Sequence, residues 1–289
     1  MPLRATPDLY GGSLSRLESV VMLTPNLVPL QGTSLACFVL AGTAVCAQTT
    51  DVVKAVPMTK EPHHQLVLEN SYVRVFHFHL PAHDATLLHA HDLPYVSVAL
   101  GPGDFANAVA GKPEARAVLT DGQVGYSRGG FAHIVRTDAG SSFGNFTIEL
   151  LRPQGEPRNL CQKVTDGPLQ DCASQDADHP PSNAPAKTLE QAIERTRLFE
   201  TGEILVTSFS MSAKEDYGES GPELARLLVV EQDSELQVDV SGEPSKKLHG
   251  GEVLWLDAGK NWRIVSTGDH KITRFVLIEF KDSDGTKTP

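Results

Sequence analysis

The chain has 289 residues, 40% of them apolar and 21% charged, the proportions of an ordinary folded protein with room for one large or two ordinary domains. Its formal net charge is −11, and its lysines and arginines stand apart except at "SKK", residues 245–247, so no basic face exists to neutralise a phosphate backbone and nucleic acid is excluded as a partner. Acidity of this size favours solubility and identifies no ligand.

Near the start, "SLACFVLAGTAVCAQ" (residues 34–48) holds an uncharged apolar run ending in Val45-Cys46-Ala47, a small-residue pattern of the kind signal peptidase cuts. Residues 1–47 therefore read as a signal peptide, with Met1 or Met22 as the start and a mature chain beginning near Gln48. The run is too short to span a bilayer and no stop-transfer cluster follows, so the expected location is periplasmic or secreted, with no membrane contact after cleavage. A strand of an N-terminal domain is the rival reading, disfavoured because no second element pairs with the run. A lipid anchor at Cys46 ranks lower, since Val45 stands where a small residue is expected.

Short alternating or β-branched runs follow, "YVRVFHF", "YVSVAL", "AVLT", "QVGYS", "HIVRT" and "FTIEL", separated by Gly, Pro and Asp turns. They read as closely spaced antiparallel strands of a jelly roll or barrel. Of the four cysteines, Cys37 and Cys46 would leave with the leader. Cys161 and Cys172 would remain as an even pair in an oxidising compartment, and a disulfide is expected, worth roughly 3 kcal/mol of unfolded-chain entropy. A two-cysteine metal site ranks second, for want of partner ligands nearby. The stretch "SQDADHPPSNAPA" (residues 174–186) has linker composition, and "TLEQAIERTR" (residues 188–197) predicts a helix, Thr188 and Gln191 having capping-box spacing.

The chain also repeats itself. Residues 68–100 align without a gap on residues 199–231, placing Glu69 on Glu200, Phe78 on Phe209, Leu80 on Met211 and Val96 on Leu227. Residues 121–138 match 250–267, with Gly122 on Gly251, Val124 on Val253 and Gly130 on Gly259, and "NFTIEL" matches "RFVLIEF". The expected division is a first barrel over residues 48–160, a disulfide loop, linker and short helix over 161–198, and a second barrel over 199–289.

Two motifs carry chemistry. In "HAHDLPYVSVAL", His89 and His91 are two apart on a strand and point to one face, and His133 from a neighbouring strand can complete one side of a coordination sphere. With these residues each half resembles a cupin, and the whole resembles a bicupin, an all-β fold of two double-stranded β-helix barrels in tandem. The first cupin motif is matched by His89 and His91, with Tyr95 at the usual Glu position, Gly101 or Gly103 closing it, and His83 in place of the opening Gly. The second is matched by Gly122, Gly130, His133 and Thr137, with Arg128 in place of the Pro. The resemblance implies one divalent metal (Fe first, then Zn, Ni, Cu or Mn) held by His89, His91 and His133, and it implies a small organic molecule as partner. Tyr95, standing where a carboxylate belongs, is the one catalytic candidate, as a hydrogen-bond donor or a phenolate; barrel packing is its plain alternative. Loss of the Glu tilts the site toward metals that suit imidazole.

The remaining histidines read differently. His77 and His79 share a face with Val73 and Val75 and line the pocket only if that face looks inward; a surface position is preferred. His63, His64, His179, His249 and His270 read as solvated. In the second half, Ser220, Pro222, Arg226 and Trp262 stand where His89, His91, Tyr95 and His133 stand in the first, so that barrel should keep the fold and lose the metal. Trp255 and Trp262 should fill its interior, and its role should be packing on the first barrel or forming a homodimer surface. No nucleophile elbow, phosphate loop, zincin or dinucleotide motif competes. The expected function is that of an exported, metal-dependent small-molecule dioxygenase, or an isomerase or lyase; the alternative is a metal-free binding or structural protein.

Overall fold

The computed structural model describes residues 54–138, 140–155, 193–267 and 272–281, and the backbone pairing of a few strand residues outside those ranges. Two compact units are present, residues 1–52 and 53–289. In the first, the apolar run supplies its own partner: Leu35–Leu40 pairs antiparallel with Thr43–Gln48 as a hairpin. The larger unit is strand throughout, with one 3-10 turn, Met58–Lys60, as its only helical piece among the described residues. Among those residues no helix is long and apolar enough to cross a membrane.

Among the described residues the larger unit has four sheets, two from each half. In the first half, one sheet runs in the order Val124–Ser127, Tyr95–Ala99, Phe143–Leu150, Val73–Leu80, His64–Glu69. Its companion runs Val56–Pro57, His89–His91, Phe131–Arg136, Gly103–Val109, Ala115–Leu119. The second half repeats the pattern: Val253–Leu256, Ala225–Val230, Ile272–Phe280, Ile204–Ser212, Ile193–Glu200 and Arg158–Asn159 in one sheet, and Asp216–Glu219, Trp262–Ser266, Glu235–Val240, Lys246–His249 in the other. Matching strand order in both halves is what the internal repeat predicts.

Strand alternation decides which residues meet. On Val73–Leu80, Phe76, Phe78 and Leu80 turn into the first barrel, while Val73 and Val75 turn out. The outward face does not meet water. Val73, Val75, Val96, Val98, Phe146 and Ile148 share one core with Val206, Leu227, Val229, Val276 and Ile278 of the second half, so the larger sheets of the two halves are buried against each other. Trp262 is buried inside the second barrel, as expected. Trp255 is not; it packs in the shared core, its ring 5.4 Å from that of Tyr72.

The helix predicted over residues 188–197 is not formed where the structure describes that segment. Residues 193–197 belong to the strand Ile193–Glu200, which pairs with Ile204–Ser212 and carries a bulge between Arg197 and Phe199. The capping signal is local, whereas the strand gains a full ladder and buries Leu198 and Phe199 in the shared core, so tertiary pairing overrides propensity. Residues 188–192, together with Cys161 and Cys172, lie outside the described residues.

The halves also meet through a polar contact. Asp121 Oδ1 accepts the backbone N–H of Gly101 at 2.8 Å and that of Gln232 at 3.3 Å, joining a turn of the first half to a strand end of the second. Beside it lies Glu231, 3% exposed, against Gly122, whose φ is +72° and where a Cβ would come within 2.2 Å of the Glu231 carboxyl. Glycine is needed there for both conformation and room. Burial, reinforced by the Asp121 charge and opposed by Arg274, pushes the Glu231 carboxyl up to about 7. With its folded value above its unfolded one, Glu231 favours the native state most below the unfolded value, and this contribution, about 3 kcal/mol, is lost as pH rises through about 7. Urea denaturation across pH 4 to 8 should show Glu231→Gln gaining on the native chain over that window; parallel curves for the two would contradict this placement.

Candidate metal centre

The first barrel closes around histidines. His89 and His91 alternate on one short strand with both rings inward, 0% and 3% exposed. The neighbouring strand sets His133 opposite His89, and His133 is 7% exposed. The Nε2 atom of His133 lies 3.0 Å from Nε2 of His89 and 3.0 Å from Nε2 of His91. A fourth imidazole arrives from the other sheet: His64, 9% exposed, stands opposite Phe78 at the sheet edge, its ring 5.0 Å from that of His89. His64, His89 and His91 each offer a ligand nitrogen within 4.8 Å of one another.

The far side of three of these rings is committed. His89 Nδ1–H donates to the Leu87 carbonyl at 2.9 Å, His133 Nδ1–H to Asn107 Oδ1 at 2.8 Å, and His64 Nδ1–H to Glu61 Oε2 at 2.8 Å. A neutral imidazole that donates through Nδ1 presents a bare lone pair at Nε2. His133 can accept one proton from His91, and then its contact with His89 sets one lone pair against another; Nδ1 of His91 meanwhile has no partner. Protonation does not relieve the conflict near neutrality. Burial holds His89 down at about 4 and His133 at about 3, and lowers His91 further, with the neighbouring imidazoles adding to the effect for His91 and His133.

A divalent cation would resolve it. Two nitrogens each about 2.1 Å from one ion and at right angles lie about 3.0 Å apart, the separation found here. Metal-bound imidazoles also take an acceptor on the opposite ring nitrogen, as His64, His89 and His133 do. The donor set fits a metal that suits imidazole.

Tyr95 points into the same cavity, 4% exposed, with its ring 4.6 Å from that of His91. Burial drives its hydroxyl well above the usual phenol range, against a hydrogen bond shared with Ser127, and so favours the neutral phenol. The cavity is about 40 Å³ and is walled behind the histidines by Phe78, Phe105 and Phe143. His77 and His79 are on the opposite face of their strand, half-buried and exposed respectively, and do not line it. His83, at the place of the opening glycine of the first motif, has φ +60°. Thr137, in the second motif, donates its hydroxyl to the Pro81 carbonyl at 2.6 Å and so holds that loop down.

His64 was read from sequence as solvated, and that reading is corrected. The signal for it was present: Glu61 lies three residues before His64, and "HHQLVLE" begins a strand whose pairing with Val73–Leu80 sets His64 on the Phe78 face. Glu61 is 1% exposed and bonded to both His63 and His64; those bonds outweigh the opposing effect of burial and hold its carboxyl at about 2.

Among the described residues the second half has no such cluster. Register places Arg195 opposite Phe209 as His64 is opposite Phe78, and Glu219 opposite Trp262 as His89 is opposite His133. The ungapped alignment put Ser220 at the His89 place, one residue off, because the turn before Ala225–Val230 differs in shape. Arg226, at the Tyr95 position, is buried and ion-pairs with Glu219 at 2.7 Å and Glu279 at 2.8 Å.

No protein-family model and no curated protein matches this sequence. Solved structures do. Salicylate 1,2-dioxygenase from Pseudaminobacter salicylatoxidans aligns over 72% of this chain and 71% of its own, at 12% identity and a TM-score of 0.51. A variant of that enzyme in complex with gentisate aligns over 79% and 76%, at 10% identity and a TM-score of 0.52. AerE from Microcystis aeruginosa aligns over 77% of this chain and 99% of its own, at 7% identity and a TM-score of 0.50. At such identities the likeness speaks for architecture alone, and with the two sheets of each half and the histidine cluster inside the first, it gives this chain the cupin fold.

Proposed function

We propose that the first barrel binds one divalent metal through His89, His91 and His133, with His64 as a fourth ligand from the opposite sheet, and that the protein uses it on a small organic molecule. The observation that carries this reading is the convergence of imidazole lone pairs whose opposite ring nitrogens are already donating. Iron is the first choice, with Zn, Ni, Cu and Mn behind it. Bound there, the ion would supply oxygen activation if redox-active and Lewis acidity in any case. The protein's own part is to fix the imidazoles through Leu87, Asn107 and Glu61, to place the neutral Tyr95 hydroxyl as a hydrogen-bonding group, and to keep bulk water out with the phenylalanine wall. A cavity of about 40 Å³ is far below an ordinary ligand pocket, so only a small group of the substrate reaches this interior. Oxygen-dependent oxidation or cleavage is the preferred reaction, with isomerase or lyase chemistry second.

Metal analysis of the purified chain, after growth with Fe, Zn, Mn and Ni supplied, should find close to one ion per chain, and His133→Ala should lose most of it. Less than a tenth of an ion in both would leave a metal-free binding protein as the better reading. Oxygen uptake by the iron-loaded native chain with small organic acids then separates oxygenase from binder.

We further propose that the chain is exported and that Cys161 pairs with Cys172. The support is the apolar run ending in Val45-Cys46-Ala47 and the even pair left after it. The intact mass of exported protein should begin near Gln48 and rise by about two daltons on reduction; an unchanged mass on reduction would overturn the pairing.

A further inference from the structure

The centre lacks a carboxylate among its candidate ligands, yet one is buried directly behind it. Glu61 ends the 3-10 turn Met58–Lys60, and its carboxylate accepts from four donors. Oε2 receives His64 Nδ1–H at 2.8 Å and the His63 backbone N–H at 2.8 Å, while Oε1 receives His63 Nδ1–H at 2.9 Å and the Leu87 backbone N–H at 3.3 Å. The Leu87 carbonyl in turn accepts from His89. One carboxylate thus ties His64, on one sheet, to Leu87, the residue whose carbonyl orients His89, on the other.

We infer that Glu61 is the positioning residue of the metal centre, holding the His64 ring with Nε2 toward the ion and supplying, one bond farther out, the negative charge that Tyr95 does not. The inference rests on the metal reading above. Its chemistry follows from the partners. All four groups facing Glu61 are donors, so a carboxylate satisfies them and an amide of the same size cannot, because its NH2 group would face a donor. An imidazole that donates to a carboxylate is a more basic ligand and is fixed in one tautomer and one ring orientation; losing such a partner typically costs 10- to 100-fold in metal affinity. In the second half Arg195 stands at the His64 position and carries its charge toward the Tyr217 ring, 5.6 Å away.

The test is a competitive chelator titration of the full-length chain with Co(II), reading both the dissociation constant and the visible ligand-field spectrum. Glu61→Gln should weaken binding 10- to 100-fold and shift the spectrum. In a His64→Phe background, the same change should weaken binding less than about threefold, because the ligand through which Glu61 acts is gone. Equal affinity and an unchanged spectrum in Glu61→Gln overturn the inference, as does a loss that is just as large in the His64→Phe background. If Glu61→Gln does not fold, Glu61→Asp keeps the charge but draws the oxygens back by one methylene; it too should lose affinity, and native affinity there overturns the inference. No uptake by the native chain overturns the metal reading and this inference with it, whereas uptake by the native chain with an unaffected Glu61 variant overturns the inference alone.

Discussion

Buried imidazoles that have spent their Nδ1 protons on fixed acceptors are left with lone pairs and nowhere to put them. Two such atoms 3.0 Å apart, as in His89 and His133, repel unless a cation or a proton lies between them, and burial has made the proton unfavourable. Much of the first barrel is arranged around that conflict. The strand alternation of His89–His91 turns both rings inward, Asn107 and the Leu87 carbonyl fix two tautomers, and the edge strand beginning at His64 brings in a ring from the opposite sheet. A bound cation would remove the conflict. At the His133 position the second barrel places the apolar ring of Trp262 instead.

That second barrel shows what the same architecture does without the constraint. Trp262 is buried where the register of His133 falls, and Arg226, with Glu219 and Glu279, forms an internal ion-pair group at the Tyr95 position. The buried Arg226 charge is therefore paired within the protein itself. Its outward sheet then serves the first barrel: Val206, Leu227, Val229, Val276 and Ile278 bury the face that carries Val73, Val75, Val96 and Val98. Removing the second half would expose that face to water and leave the sheet that carries His64 and Tyr95 open on its outer side.

Much of this was legible in the sequence, and the parts that were not share a cause. Period-two alternation, the internal repeat and the spacing of His89, His91, Gly130 and His133 rest on local geometry, and they led to the fold and to three of the four clustered imidazoles. The strand Ile193–Glu200 escaped because its capping signal is local while its reason for being extended, the ladder with Ile204–Ser212, is not. His64 escaped for the same reason, since a histidine at the start of an edge strand becomes a candidate ligand only once pairing with Val73–Leu80 has set it beside Phe78. Trp255 was assigned to the wrong core because parity on a short strand cannot say which face meets another barrel. Tyr95 was marked as the anomalous position, and the buried carboxylate bonded to a ring of the cluster is that of Glu61, behind His64.

X-ray absorption of the metal-loaded chain tests this account most directly. It predicts a single ion whose first shell is nitrogen at about 2.0 to 2.2 Å, with the multiple-scattering pattern of at least three imidazoles and one imidazole fewer in His64→Phe. A first shell dominated by oxygen, with one imidazole or none, would contradict it.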